Sequence, residues 1–539
     1  MNPIDLSFIS PRGELASRSA LLAARLELPL YRPDAVFKPD GVGWPGDNEG
    51  RTILALTLLA RSTNKEPAYL DEIIRRIPQH LNEKGYLNRI LPEGEFDEQQ
   101  LSGHGWFLRG LCEYYLYKQD GNVLSILKGV VDNLFLPLLG RIGSYPAKLE
   151  QRVIGGQAAG EVAGKVGNWY ISTDTGCAFI SLDGLTQAYA LLRDPRLLRL
   201  LHEMIDGFAA IDVAGILAQT HATLTALRGI LRLYGLTGEE RLLQLARRLF
   251  ALYREEGMTA NYANYNWFGR PEWTEPCAII DSFLAAMQLY GYTRDASYLD
   301  TAQAVYYNGL CHAQRPNGGF GCDSCAGHPQ GSGQRLYSKI YEASWCCTMR
   351  GGEGLARAAQ YGYWVEGDTL FVPYLSSSTA CIPMNGGVLE LEQSTGYPYA
   401  GKARFTVRRN TAGPVKLAVY LPAFCQDALL TGAEARRSGS YLVASLPQEG
   451  TLSLAFSLSP RVQPPEGRYN QDAGRLLLHG PLILGCDNPQ ASISDCGALT
   501  PCPGEAVYTD GKDIFFPISG TYLLAGKTEV ESQSLKILY

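Results

Sequence analysis

Between about residues 48 and 360 the apolar positions recur at helical spacing, as in RTILALTLLARS, HGWFLRGLCEYYLYK, LDGLTQAYALL, THATLTALRGILRLYG and CAIIDSFLAAMQLYG, with short polar breaks between them. Several segments form pairs around a Gly- or Asp-containing turn, as in LRLYGLTGEERLLQLA and MQLYGYTRDASYLDTAQ. That pattern predicts helical hairpins repeated around a ring, about six of them. After Tyr363 the period falls to two, in TLFVPYL, VLELEQS, ARFTVRR, VKLAVYL and DIFFPI, with Gly, Pro, Asn and Asp between the runs. This predicts an antiparallel β-sandwich or a pair of small ones. The chain thus divides into a helical region, 1–362, and a β-sandwich region, 363–539. Residues 152–169, RVIGGQAAGEVAGKVGNW, fit neither period and read as a flexible rim loop; no phosphate-binding glycine pattern follows a strand there.

At 539 residues the chain has room for a large core spread over several units. Its 48 Lys and Arg against 54 Asp and Glu give a net charge of -6, with no basic block to neutralise a phosphate backbone, so nucleic acid is not an expected partner. The opening MNPIDLSFISPRGEL lacks the apolar run of a signal peptide, and no stretch is long and apolar enough to span a bilayer. A soluble cytoplasmic protein without membrane contact is expected. The 13 cysteines are odd in number and show no disulfide framework, so reduced thiols are expected too. With 31 Tyr and 7 Trp the chain is rich in the flat faces on which sugars stack, which points towards carbohydrate.

The sharpest local feature is the adjacent pair Cys346-Cys347 in EASWCCTMRGGEGL, just before an expected helix, where the helix N-terminus favours thiolate over thiol. Cys277, in the run Glu275-Pro276-Cys277, stands at the mouth of another helix. One carboxylate and three thiolates are a ligand set that zinc accepts in tetrahedral geometry, although the long gap between the motifs is not a diagnostic metal spacing. A rival set uses Cys322 and Cys325 with His328, in GFGCDSCAGHPQG, whose short spacing resembles a zinc knuckle. Joined to Cys346 and Cys347, those thiols would make a closed structural cluster with no nucleophile.

With these motifs the chain resembles the β-L-arabinofuranosidases of glycoside hydrolase family 127, in which a Glu-x-Cys motif and a later Cys-Cys pair bind zinc. The resemblance extends through GDNEGRTILA, GHGWFLRGL and THATLTAL in the helical part and VLELEQSTGYPYAGKARFTV and GRLLLHGPLILGC in the β part. It implies an (α/α)6 barrel followed by C-terminal antiparallel β-sandwich domains. It also implies zinc held by Glu275, Cys277, Cys346 and Cys347, with Cys346 as the nucleophile of a retaining reaction. Zinc would keep Cys346 deprotonated at neutral pH and stabilise it again as a leaving group when a glycosyl-cysteine intermediate is hydrolysed.

The family's acid/base is a Glu about sixteen residues before the Glu of the Glu-x-Cys motif, and that offset falls here on Thr259. Glu272 is the nearest upstream carboxylate and the candidate replacement; its bland reading is a solvated loop residue. Tyr265 and Trp267, in TANYANYNWFGR, are candidates for stacking on a sugar, as are their neighbours Tyr262, Asn261, Asn264 and Asn266 for contacts to it, and a packed aromatic loop explains them equally well. His104 and His221 are read at helix starts facing the cavity, and Glu49, with Arg51 and Trp44, at another, where an Asp-Asn-Glu run also reads as a cap.

The expectation is therefore a zinc-dependent, exo-acting retaining hydrolase of β-L-arabinofuranosides or related sugars. The alternative is a glycan-binding or altered-specificity protein of the same fold with a structural zinc and no arabinofuranosidase activity. A homodimer through the β region is a further option, but no segment singles out its interface.

Overall fold

In the computed structural model, which describes residues 1–38, 43–153, 162–339, 342–493, 495–504, 506–520 and 532–539, the helical part is built from α1 (Gly13–Arg25), α2 (Asp47–Thr63), α3 (Leu70–Arg76), α4 (Glu98–Lys118), α5 (Gly121–Val130) and α6 (Ser181–Leu192). It continues with α7 (Pro195–Ala209), α8 (Thr220–Thr237), α9 (Glu240–Glu256), α10 (Pro276–Thr293), α11 (Ser297–Ala304) and α12 (Cys347–Gln360). The even-numbered helices α2, α4, α6, α8, α10 and α12 each pack on the next, and α12 closes the ring on α2. Each of the first five is followed by an outer helix, and α1 lies outside α12, so the sixth pair joins the two ends of the helical segment. This is the expected (α/α)6 barrel.

The burial of each ring follows from its sequence. Outer helices are amphipathic: α9 buries Leu242, Ala246, Leu249, Phe250 and Tyr253 along one stripe. Inner helices are covered on every side, and α4 is buried without a break from Glu98 to Tyr114. They approach closely through glycine. A Cβ on Gly50 of α2 would lie 2.2 Å from the backbone nitrogen of Phe107 in α4, and one on Gly184 of α6 would lie 2.2 Å from the carbonyl oxygen of Gly105.

Charged residues on the inner helices meet along the barrel axis. Glu353 of α12 binds Arg109 of α4 and Arg228 of α8, each at 2.7 Å, and pairs with Arg350. Arg109 also reaches Asp183 of α6 at 2.9 Å, while Arg228 and Arg350 converge on Asp281 of α10. Five of the six inner helices are tied together by these fully desolvated pairs, which fix the register of the ring as well as its packing.

The β region completes the expected architecture, with one six-stranded sheet of Asn2–Pro3, Trp364–Glu366, Thr369–Val372, Lys416–Tyr420, Tyr441–Ser445 and Ala435–Ser438 in spatial order, and a second whose centre is Ser378–Met384, Gly387–Thr395, Lys402–Asn410 and Gly450–Ala455. A third six-stranded sheet follows from Pro460. Among the described residues, pairing within these three sheets is antiparallel apart from Thr369–Val372 against Lys416–Tyr420, which run parallel. The N-terminal strands Asn2–Pro3 and Ile9–Pro11 join the two sandwich sheets, and Arg335–Lys339 pairs with Ser532–Lys536. Strands of two or three residues carry no readable alternation, so the sequence gives no sign of the first two.

The glycine-rich segment 152–169 departs from the loop expectation. Val162–Val166 and Trp169–Ser172 pair as antiparallel strands, with a register shift at the glycine-containing step that hides the period of two. Residues 154–161 of that segment lie outside the described residues. Among the described residues no helix is long and apolar enough to cross a membrane.

Candidate active site

A cavity of about 460 Å³ opens at the end of the barrel where the inner helices begin. Its wall includes Asp47 in the first turn of α2, Gln219 and His221 at the start of α8, Glu275 just before α10, and Cys346 and Cys347 at the start of α12. Helix N-termini present unpaired N–H groups and a partial positive charge, so the barrel concentrates on one pocket the field that favours carboxylates and thiolates.

Local chemistry sets each of these residues. Pro276 occupies the first turn of α10, and Glu275 is the N-cap in extended conformation, with its carbonyl accepting from Ala278 and Ile279. The Asn264 side chain accepts from Glu275 N at 2.8 Å and donates to Thr220 at 2.9 Å, which staples the loop before α10 to α8. Cys346 is the N-cap of α12, and its carbonyl accepts from Arg350 N at 3.1 Å.

Glu275, Cys277, Cys346 and Cys347 each bring one ligand atom to within 4.8 Å of all the others, and among the described residues this is the one group of His, Cys, Asp and Glu that can hold a metal ion. Cys347 Sγ lies 3.6 Å from Cys277 Sγ and 3.3 Å from Cys346 Sγ. A tetrahedral zinc with Zn–S bonds of about 2.3 Å needs S···S edges of about 3.8 Å, so both donor type and spacing fit that ion. Against the burial that penalises charge, hydrogen bonds from Cys346 and Cys347, together with Arg51, hold Cys277 well below an ordinary thiol. Arg51 donates to Cys277 Sγ at 3.2 Å and pairs with Asp47 at 2.8 Å. Burial raises Glu275, opposed by His221, whose Nδ1 stands 3.3 Å from its carboxylate.

Behind the lining residues Arg51 and His221 lies the buried Trp106, with the guanidinium groups of Arg51 and Arg350 each 4.3 Å from its ring and His221 stacked on it at 5.8 Å. His221 Nε2 faces Asp281 at 3.5 Å, which joins the pocket to the charged axis of the barrel.

The rival knuckle does not assemble. Cys322 lies on the cavity wall and is a hydrogen-bond neighbour of Cys347. Cys325 turns away and donates to the carbonyl of Asn264 at 3.8 Å, and His328 packs between the rings of Tyr265 and Tyr469.

Of the other sequence candidates, His221 lines the cavity, as do Arg51, Trp44 and Asn266. His104, Glu49, Tyr265, Trp267 and Glu272 do not. His104 lies almost two turns inside α4 rather than at its start; its Nδ1 donates to Gln100 O at 2.8 Å and its Nε2 accepts from Leu87 N at 3.0 Å. Glu49 sits two residues after Asp47, a step of about 200° around the helix, and accepts from Lys38 N in a neighbouring hollow. Tyr265 donates to Asn470 at 2.7 Å, tying the loop to the β region. Trp267 packs behind the wall against Trp273 and Arg270. Glu272 is exposed and paired with Arg270 at 2.7 Å, with no place on the cavity wall. Thr259, at the family's acid offset, is buried and donates to Asn261 at 2.8 Å.

Two groups went unread in the sequence. Trp345, 64 % exposed, stands on the cavity wall beside Cys346. Asp174, in the turn before α6, is 4 % exposed, and burial together with the nearby Glu275 pushes it up to about 7. In STDTG it reads as an ordinary helix-capping residue, and only its placement on the wall sets it apart.

The bonding of His104 makes a prediction. With one nitrogen donating and the other accepting, the ring is held neutral, and burial pushes it down to about 4 from its ordinary 6.5. The unfolded chain binds that proton first, so the contribution to stability is full above pH 6.5 and is lost as the pH falls towards 4. The loss is about 3 kcal/mol by pH 4. Denaturant unfolding at pH 7 and pH 4 should show this share in the wild type and not in His104→Gln.

The comparisons with known proteins agree with this architecture. Residues 253–360 match the family model described as Beta-L-arabinofuranosidase, GH127 catalytic domain. That segment contains all four residues of the group that can hold a metal ion. The fold is similar to that of a family 127 β-arabinofuranosidase (TM-score 0.72, 14% identity, covering 99% of this chain and 97% of that one). It is likewise similar to a protein described as a glycoside hydrolase (TM-score 0.71, 14% identity, covering 100% and 97%). A third similar structure is the family 127 β-L-arabinofuranosidase of Geobacillus stearothermophilus T6 (TM-score 0.65, 17% identity, covering 89% and 86%). No curated protein sequence matches the chain. The family resemblance read from the Glu-x-Cys and Cys-Cys motifs is borne out.

Proposed function

We propose that the protein is a zinc-dependent, exo-acting retaining glycoside hydrolase of β-L-arabinofuranosides or closely related sugars, with Cys346 as the nucleophile. The observation that carries this reading is the convergence of Glu275, Cys277, Cys346 and Cys347 within 4.8 Å of one another, with Glu275, Cys346 and Cys347 on the wall of a cavity at the inner-helix starts and Cys277 buried behind it. Glu275, Cys277 and Cys347 complete the ligand set. When bound, zinc keeps the Cys346 sulfur a thiolate at neutral pH and makes it a competent leaving group.

The chain's own residues supply the rest. Cys346, half-buried at the N-cap of α12, lines the cavity. Trp44 and Trp345 offer flat faces for a sugar ring, while Gln219 and Asn266 offer hydrogen bonds to its hydroxyls. The cavity volume suits the end of a short glycan, in keeping with exo action. In the same reading the protein is cytoplasmic, and residues 1–362 form the catalytic barrel with 363–539 as its β support.

A second reading is favoured by the missing carboxylate at Thr259: a glycan-binding or altered-specificity protein that keeps the cavity and the metal. A panel of 4-nitrophenyl glycosides separates the two. Release of nitrophenol from the β-L-arabinofuranoside supports the first; binding of that sugar without release, or release from a different sugar alone, supports the second.

A further inference from the structure

We infer that Asp174 is the general acid/base of this site, a role that rests on the retaining-hydrolase reading above. A retaining reaction needs, besides a nucleophile, one group that gives a proton to the leaving oxygen and later takes one from water. Among the described residues three carboxyl groups stand on the cavity wall, Asp47, Asp174 and Glu275. Asp47 is engaged by Arg51 at 2.8 Å. Glu275 belongs to the metal-binding group and is held by Gln219 and His221, both at 3.3 Å. Asp174 is the carboxyl left over; the Trp267 indole neighbours it as a hydrogen-bond donor, and its Oδ1 is buried without a hydrogen-bond partner. A buried carboxyl oxygen left unpaired is costly, and a substrate oxygen entering the cavity would satisfy it.

Its position suits the chemistry. Asp174 lies between the strand Trp169–Ser172 and the helical turn Cys177–Ile180 that leads into α6. Its backbone is fixed at both ends, with N donating to Ser172 Oγ and O accepting from Cys177 N, each at 3.1 Å. In the ring of inner helices α6 is three places from α12, so Asp174 and Cys346 enter from opposite sides of the barrel onto one cavity. A sugar between them would meet the sulfur on one side and the carboxyl on the other.

In the first half-reaction the Cys346 thiolate forms a C–S bond at the anomeric carbon. The glycosidic C–O bond breaks towards oxygen, and that oxygen takes the proton of Asp174. In the second, the Asp174 carboxylate takes a proton from water, the water oxygen bonds to the anomeric carbon, and the C–S bond breaks with its electron pair returning to sulfur.

The test compares 4-nitrophenyl and methyl β-L-arabinofuranoside as substrates of the wild type, Asp174→Ala and Asp174→Asn. Nitrophenolate leaves without a proton and methoxide does not. Both variants should therefore keep kcat/KM for the nitrophenyl substrate within about tenfold and lose about a thousandfold or more on the methyl substrate. Under turnover a pentosyl adduct on Cys346 should accumulate in the intact mass, and sodium azide should restore turnover of Asp174→Ala by forming the retained-configuration glycosyl azide. Equal losses on both substrates, or no adduct and no azide effect, would overturn the role of Asp174 while wild-type hydrolysis leaves the proposed function standing. A wild type inactive on both substrates would overturn the function itself and the acid assignment with it.

Discussion

Replacing Cys346 with Ser is expected to lower kcat/KM for an arabinofuranoside by roughly four orders of magnitude or more while leaving the fold in place. The serine hydroxyl is a far weaker acid than a thiol and is not held as an alkoxide at neutral pH, so the attacking electron pair is lost. The fold tolerates the change because residue 346 caps α12, a position at which serine is a favoured residue. Circular dichroism and the thermal midpoint should thus match the wild type while steady-state hydrolysis collapses. Unchanged hydrolysis by Cys346→Ser would remove the nucleophile from this account.

Glu353→Ala is expected to destabilise the protein by about 3–5 kcal/mol, the cost of stranding buried charge. Glu353 is wholly buried and accepts from Arg109, Arg228 and Arg350, so its removal leaves guanidinium groups from three inner helices without their shared counter-charge. Arg350 also packs on Trp106 and against Asp281, which faces His221, so the loss should reach the cavity wall through His221. Denaturant unfolding should show the lower midpoint, and Glu353→Gln, which keeps hydrogen-bonding capacity, should lose less. An unchanged midpoint in Glu353→Ala would mean that the axial network does not hold the barrel.

How much of this was legible in the sequence depends on what each signal encodes. Helical spacing and hairpin breaks gave the barrel because an apolar stripe on an outer helix such as α9 is a local property. The Glu-Pro-Cys and Cys-Cys motifs were legible as helix starts because Pro276 and the N-cap positions of Glu275 and Cys346 are local too. What a side chain faces within a wholly buried helix is not. His104 was read as a cavity residue, yet it lies inside α4 and faces Leu87; Glu49 was read with Arg51, yet two residues from Asp47 turn it to another hollow. Tyr265, Trp267 and Glu272 share a loop whose aromatic and polar residues mostly pack against one another and the β region. Asp174 carries no motif, and its distinction comes from a partnerless oxygen on the cavity wall, which only the assembled barrel defines.

The central claim, a zinc centre of one carboxylate and three thiolates with Cys346 among them, is tested most directly by metal analysis and zinc K-edge X-ray absorption on the purified full-length protein. The account predicts one zinc per chain, bound by three sulfurs at about 2.3 Å and one oxygen at about 2.0 Å, with one sulfur lost in Cys346→Ser. Four sulfurs, with Cys322 replacing Glu275, or a spectrum unaffected by Cys346→Ser, or a protein that takes up no zinc, would contradict it.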